Sequence, residues 1–407
     1  MISTPGASLK RCLALASLAT LLGAGAPAMA ADQIIKIGTD FPVSGADAAD
    51  GIPVQNAVQL AIDDANKHAP KGFRFQLDPL DDAVGGVHNP QQGATNMRAF
   101  VADPLVLGVI GPFNSNVAAA QIPVANEARL ALLSPATTNP TLTKTPKYRT
   151  SHPNEINFFQ VPATDDVQGK VLAQTAKQLG LKRVYIIDDN ETYGKGLADE
   201  FDANLRALGG TVLGHDHVTA GQQDFKGLLT KIAATNPSAV FFGGCTSTGG
   251  GLIRTQMAGA GLDPKKIPFL GGDCTTDDSF LKIAGDAADN TYYTQAAPDA
   301  EKMPEARAFV KEYAQRFHGD LGAYSASGYA AGQIMVWAIE KAIEESHGKM
   351  PTRAAVLTAL RREKNVPTIL GPFGFDKDGL TTTQIFSVWK IEGGKRTFVK
   401  QVTFREK

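Results

Sequence analysis

Two short runs set small hydroxyl residues where apolar segments of strand length stop: Gly111-Pro112-Phe113-Asn114-Ser115 after 105–110, and Ser134-Pro135-Ala136-Thr137-Thr138 after 130–133. The first leads into a helix expected over 117–127, with Ser115 or Asn116 as its N-cap. In an open α/β sheet, ligands gather beyond the carboxyl ends of strands, where helix N-termini and backbone N–H groups favour anions. Two adjacent strand ends of this chemistry make a cradle for a small carboxylate. Each run alone would equally suit an ordinary cap or turn. Asp273, after Leu270-Gly271-Gly272, is an acid at a strand end that faces a cleft rather than bulk surface. Tyr193 precedes Gly194 at a loop-to-helix junction.

Other chemistry finds less support. A Ser115 nucleophile needs a histidine base, and none of the seven histidines falls at a matching strand end. Cys245 paired with His215 or His217 lacks the activating neighbour a thiolate requires. Gly243-Gly244 and Gly249-Gly250-Gly251 lack the Gly-Lys-Ser/Thr ending of a phosphate loop, and no dinucleotide fingerprint is present. No catalytic residue is assigned. His215-Asp216-His217 alternates as a strand would, with both histidines on one face. No further ligand cluster sits nearby in sequence, so a solvated edge strand is expected there, with no metal site and no cofactor.

The elements that must position these residues alternate. Strands are expected at 34–39, 73–77, 183–187, 211–218, 239–242 and 268–270, in addition to the two above. Helices are expected at 52–68, 90–101, 196–208, 224–234 and 250–258. Such alternation implies βαβ units in two doubly wound, largely parallel sheets. Three helices follow, at 304–317, 326–345 and 352–362, so the chain returns to complete an earlier lobe before a last strand at 385–391.

The N-terminus supplies a compartment. Lys10-Arg11, the apolar stretch 13–24 and Ala28-Met29-Ala30 read as a secretory signal peptide over 1–30, too short for a membrane span. Its removal takes away two basic residues and no acid, so the net charge moves from −1 to −3. That balance gives no support for nucleic-acid or membrane-surface binding. The 377 residues that remain exceed one ordinary core, hence two lobes. Only Cys245 and Cys274 survive cleavage; at neighbouring strand ends in an oxidising compartment they could form a disulfide.

Together these segments resemble the periplasmic leucine/isoleucine/valine-binding protein family, the type I solute receptors of ATP-driven importers. The marks are Pro42-Val43-Ser44-Gly45, Asp81-Asp82, Val109-Ile110-Gly111 with Ser115, and Ser134 to Thr138. They continue through Asp165-Asp166-Val167-Gln168-Gly169, Tyr193-Gly194-Lys195-Gly196, Asp224-Phe225, Gly371-Pro372-Phe373 and Val388-Trp389. The resemblance implies an α/β clamp of two lobes joined by a three-strand hinge: lobe 1 over 31–158 and 297–371, lobe 2 over 159–296 and 372–407. It implies that Ser115, Ala136 and Thr138 hold an amino-acid head group, with Tyr193 and Asp273 from the second lobe, Asp273 pairing the ammonium. Asp50 and Cys245 stand where relatives carry pocket aromatics, and Tyr324 keeps one. A pocket that gains Asp50 is less apolar than one built for leucine. The expected ligand is therefore a branched-chain or a more polar amino acid or amide. The expected partner is a membrane permease with its ATPase, served by a periplasmic monomer. A ligand-sensing receptor of a signalling system with the same fold is the alternative.

Overall fold

The computed structural model describes residues 32–275, 277–319 and 321–405. The signal peptide read at 1–30 lies outside them. Five parallel strands form the first sheet: β1 (Gln33–Phe41), β2 (Phe73–Asp81), β3 (Val106–Ile110), β4 (Ala131–Ser134) and β5 (Phe158–Gln160), in the order β2-β1-β3-β4-β5. The second holds β6 (Arg183–Asp188), β7 (Thr211–His217), β8 (Ala239–Gly243), β9 (Phe269–Gly271), β10 (Thr291–Gln295), β11 (Thr383–Glu392) and β12 (Lys395–Arg405). Its order is β12-β11-β10-β9-β8-β6-β7, with β11 antiparallel to both of its neighbours, β10 and β12.

Strands buried on both faces read as unbroken apolar runs, and β3, β4 and β8 are buried at every residue. Alternate residues serve opposite layers. In β6, Val184 and Ile186 pack with Phe201, whereas Tyr185 and Ile187 pack with Leu229 and Ile253. Around the first sheet, α1 (Ala48–Ala65) lies against α10 (Ser325–Glu345), and α2 (Pro90–Ala102) against α3 (Ser115–Glu127). The second sheet is flanked by α4 (Asp165–Gln178), α5 (Thr192–Ala207), α6 (Lys226–Ala234), α7 (Gly251–Gln256) and α8 (Asp278–Ala284). The helices α9 (Arg307–Phe317) and α11 (Arg353–Arg362) return to the first lobe. This is the two-lobed α/β architecture expected from the sequence.

The chain passes between the sheets three times, and the three connections bond to one another. Gln160 N donates to Gly379 O at 3.0 Å, Ala163 N to Ala296 O at 3.2 Å, and Ser387 Oγ to Ala297 O at 2.8 Å.

Local differences from the sequence reading have physical reasons. Asn114 is the N-cap of α3, not Ser115 or Asn116: it is the last extended residue (φ −97°, ψ 140°), and Ser115 already belongs to the helix. The helix expected from 52 begins at Ala48 with Pro53 inside it, which puts Asp50 in the first turn. The helix expected from 196 begins at Thr192, so Tyr193 sits in its first turn. The strands β5 and β10 escaped notice because one has three residues and the other, Thr-Tyr-Tyr-Thr-Gln, has no aliphatic run.

One buried cation organises the approach to β9. Arg254 on α7 is fully buried, and its guanidinium donates to the carbonyls of Pro264, Ile267, Ala287 and Asp289. Burial lowers its pKa to about 10, still well above neutrality. Arg254→Ala would remove the one donor group that ties these four carbonyls together. We expect a loss of about 3–5 kcal/mol in denaturant-induced unfolding.

Candidate functional site

The carboxyl ends of the two sheets face each other across a small cavity. From the first lobe it is lined by Phe113, Asn114, Ser115, Ala136, Thr138 and Tyr324; from the second by Tyr193, Cys245, Asp273 and Cys274. The structure thus brings together seven of the eight residues named from the sequence.

Each wall has a local cause. Ser134 Oγ donates to Pro112 O at 2.7 Å and accepts from Thr137 N at 2.8 Å and Ala136 N at 3.2 Å. One hydroxyl therefore ties the two strand ends into a single surface. Ser115 opens α3, so the positive end of that helix points at the cavity. The Asn114 Oδ1 atom there is buried without a hydrogen bond. Phe113 and Tyr324 meet edge to face, ring centroids 5.8 Å apart.

Across the cavity stands Asp273, whose Oδ2 accepts from Gln168 Nε2 at 2.8 Å and from the Tyr193 hydroxyl at 3.4 Å. Its Oδ1 accepts from Ala296 N. Burial pushes the carboxyl up, Gln168 and the Ala296 amide hold it back, and the balance is about 6. A Cβ at Gly272 would lie 2.2 Å from the Tyr193 oxygen, so glycine is what lets that ring reach Asp273. The Tyr324 hydroxyl is buried without a well-formed hydrogen bond. Burial, then the Asp273 charge, raises the pKa of that phenol, which keeps it a donor. One wall thus carries hydroxyls and a helix N-terminus; the other carries a carboxylate.

Cys245 and Cys274 are joined, with Cα atoms 4.4 Å apart. The bridge packs in one apolar cluster with Phe113, Ala136 and Tyr324, so it forms a dry part of the wall. Asp50 is not on that wall. It lines a wider cleft that shares Asp273 with the cavity and also carries Asp277 and Asp278. Burial, then the charges of Asp277 and Asp47, push the Asp50 carboxyl far above the usual carboxylate range.

Sequence reasoning passed over three contributors. Gln168 lies in a motif that was noted, but nothing there marks it as the side chain that holds Asp273. Cys274 was seen only as a disulfide partner, not as wall. His88 has no strand-end signature, yet its Nδ1 meets Asp47 Oδ2 at 2.7 Å and its Nε2 meets Glu191 Oε2 at 2.9 Å. Asn116 Nδ2 reaches the same Glu191 oxygen at 3.0 Å, and Asn139 Nδ2 donates to Thr192 O at 2.7 Å. These contacts cross from the first lobe to the second. Burial alone would lower the His88 pKa, but Asp47 and Glu191 override it and carry it to about 10, so the ring is cationic at neutral pH.

A family model described as periplasmic binding protein matches residues 34–395. A Leu/Ile/Val-binding protein, BraC3 of Rhizobium johnstonii, is 35% identical over 379 residues, covering 93% of this chain and 97% of that protein. A Leu/Ile/Val-binding protein homolog of Brucella melitensis is 30% identical, with 90% and 94% covered. Among solved structures, a leucine binding protein from Thermotoga maritima is 25% identical and superposes with a TM-score of 0.78, covering 90% of this chain and 98% of that one.

The bridge closes a segment with a sequence separation of 29. Opening a loop of that size costs about 3–4 kcal/mol in the chain-entropy account. Denaturant unfolding with and without reductant should show a loss of that order, and Cys245→Ala should abolish the difference.

Proposed function

The chain belongs to the periplasmic binding protein family that includes the Leu/Ile/Val-binding proteins, which are transporter receptors and not enzymes; from that premise we propose that it captures an amino acid by lobe closure and delivers it to a membrane permease with its ATPase. The observation that carries the reading is the polarity of the cavity: hydroxyls and a helix N-terminus on one wall, Asp273 on the other. A zwitterionic head group fits that polarity, its carboxylate toward Ser115, Ala136 and Thr138 and its ammonium toward Asp273 and Tyr193. Charge-assisted bonds of this kind are the strong ones, and neither charge could enter a dry cavity without its partner.

In this reading lobe 1 comprises 31–158 and 297–371 and lobe 2 comprises 159–296 and 372–407. The signal peptide directs the chain to the periplasm. The ligand side chain leaves the head-group cavity beside the disulfide and Tyr324, toward the cleft that holds Asp50 and Asp277. Buried acids at that exit favour a polar amino acid or amide over leucine. Titration calorimetry against an amino-acid panel tests this: binding restricted to leucine, isoleucine and valine would remove Asp50 from the argument.

The head-group reading has a pH signature. The unliganded Asp273 carboxyl ionises only near pH 6, whereas an ammonium beside it would favour the ionised form and lower that value. Affinity for an ammonium-bearing ligand should be level above about pH 7 and fall about tenfold per pH unit below pH 6. Asp273→Asn should weaken binding by about 100-fold or more and flatten the profile. A profile that keeps its shape in that variant would mean that another group titrates.

Closure has its own signature at His88. Because its pKa is raised, the bond to Glu191 contributes fully below the ordinary histidine value and is lost only as pH rises through about 10. His88→Ala should raise the dissociation constant by about tenfold near pH 6, mainly through faster release, and its difference from the parent should narrow as pH rises above the ordinary histidine value. Stopped-flow release kinetics check it.

A further inference from the structure

The cavity and the cleft leave one cluster of chemically capable side chains unused. Neither Asp188, His215 nor His217 lines either of them. Asp188 is the last residue of β6 and is fully buried. His215 Nε2 lies 2.6 Å from its Oδ2, and His217 Nδ1 lies 2.7 Å from its Oδ1. The three ligating atoms all fall within 4.8 Å of one another. The ligand that the histidine pair lacked in sequence comes from the neighbouring strand, 27 residues earlier than His215.

A strand irregularity makes this meeting possible. The pairing of β6 with β7 shifts after Val184: Val184 faces Val212, but Tyr185 faces Gly214, so Leu213 is extra. The shift places Asp188 opposite His217, with His215 two residues back on the same face. In unshifted register Asp188 would face Asp216, two carboxylates side by side, with both histidines turned to the other face. The shift therefore exchanges a repulsive pair for an imidazole pair. Bulges that re-aim a side chain are commonly found next to functional sites. Gly214 allows it, since a Cβ there would lie 2.6 Å from the Tyr185 ring. Asp216 points away and is taken up by Lys231 Nζ at 2.8 Å and by the Tyr185 hydroxyl.

We propose that Asp188, His215 and His217 form a binding site for a divalent transition-metal ion, with zinc the leading candidate. Two imidazole nitrogens and one carboxylate oxygen are a zinc-type donor set, whereas calcium and magnesium take oxygen ligands. The His217 side chain is 48% exposed and that of His215 is 20% exposed, so water can reach the remaining coordination position. Asp199 and Asp202 add negative charge around His215, while the nearby Lys195 is paired with Asp199 at 2.5 Å. Asn190 N donates to Asp188 Oδ1 at 2.7 Å and fixes the carboxylate as a ligand-orienting bond should.

Tetrahedral zinc with bonds of about 2.0–2.1 Å separates its ligand atoms by about 3.3 Å. The present contacts are 2.6 and 2.7 Å, so small rotations of the two imidazole rings would admit the ion. A proton now directed at Asp188 must leave each coordinating nitrogen, for the other nitrogen of its ring or for solvent.

The site is independent of the amino-acid reading, and so is its test. Chelator-stripped protein is titrated with zinc chloride against a chromophoric competitor. One equivalent should bind, and His215→Ala and His217→Ala should each weaken binding by about tenfold or more, the double substitution abolishing it. Thermal unfolding without metal reports whether the variants fold. If they do not, crystals of the parent soaked in zinc decide, by anomalous scattering at the three side chains. No zinc uptake by the parent, equal uptake by a folded double variant, or anomalous density only elsewhere would overturn the proposal.

Discussion

Asp273 must keep a charge-bearing carboxyl inside a nearly dry space, and much of the architecture around the cavity answers that requirement. Its donors come from different parts of the chain. Gln168 lies on the first helix after the first crossing between lobes; Ala296 lies at the second crossing; Tyr193 opens a helix of the second lobe. The same Gln168 amide also reaches Thr294 Oγ1 at 3.0 Å, which ties it to the strand that enters the second crossing. Displacing that connection would disturb the bonds that hold Asp273 near its ionisation point. The site and the hinge are therefore mechanically one object. An oppositely charged ligand group and a settled hinge stabilise the same ionised state of Asp273.

The two lobes meet through contacts of opposing sign. Around His88, a buried imidazolium sits between Asp47 of its own lobe and Glu191 of the other, and it favours contact. Around Asp50, burial and then the charges of Asp277 and Asp47 push its carboxyl far above the usual carboxylate range, and burial raises that of Asp277. Attraction at one rim and acids facing each other at the other would suit the proposed clamp, whose equilibrium a small ligand must move by its differential affinity alone. A positive or hydrogen-bond-donating group on the ligand would relieve the acidic rim, and this is the physical content of the polar specificity proposed above.

The strand ends were legible in the sequence because residue type and position coincide there. Ser115, Ala136, Thr138 and Asp273 each follow an apolar run of strand length, and the parallel-sheet rule turns that pattern into a location. Asp50 was legible as an unusual residue but not as to place, since a helix start four residues earlier than expected moves it to the cleft. Gln168 and His88 were illegible for a different reason. Each acts through a partner more than 100 positions away, Gln168 through Asp273 and His88 through Glu191, and no local pattern encodes such pairings.

The histidine pair shows the same limit in its sharpest form. Period-two alternation correctly put His215 and His217 on one face, and the absence of a nearby third ligand argued against a metal. What that count could not see is one extra residue in β7, invisible to a pattern that follows alternation within a strand. Register is a relation between strands, and a shift of one position changes every facing pair beyond it. In a parallel sheet the neighbouring strand comes from a separate βα unit, so ligands that converge in space need not cluster in sequence. The burial of Asp188 follows from its place at the end of an interior strand, and the exposure of the histidines from their place on the edge. A buried anion beside two solvent-accessible imidazoles is thus a consequence of sheet order, and that order is what gives the site both a fixed charge and an open side.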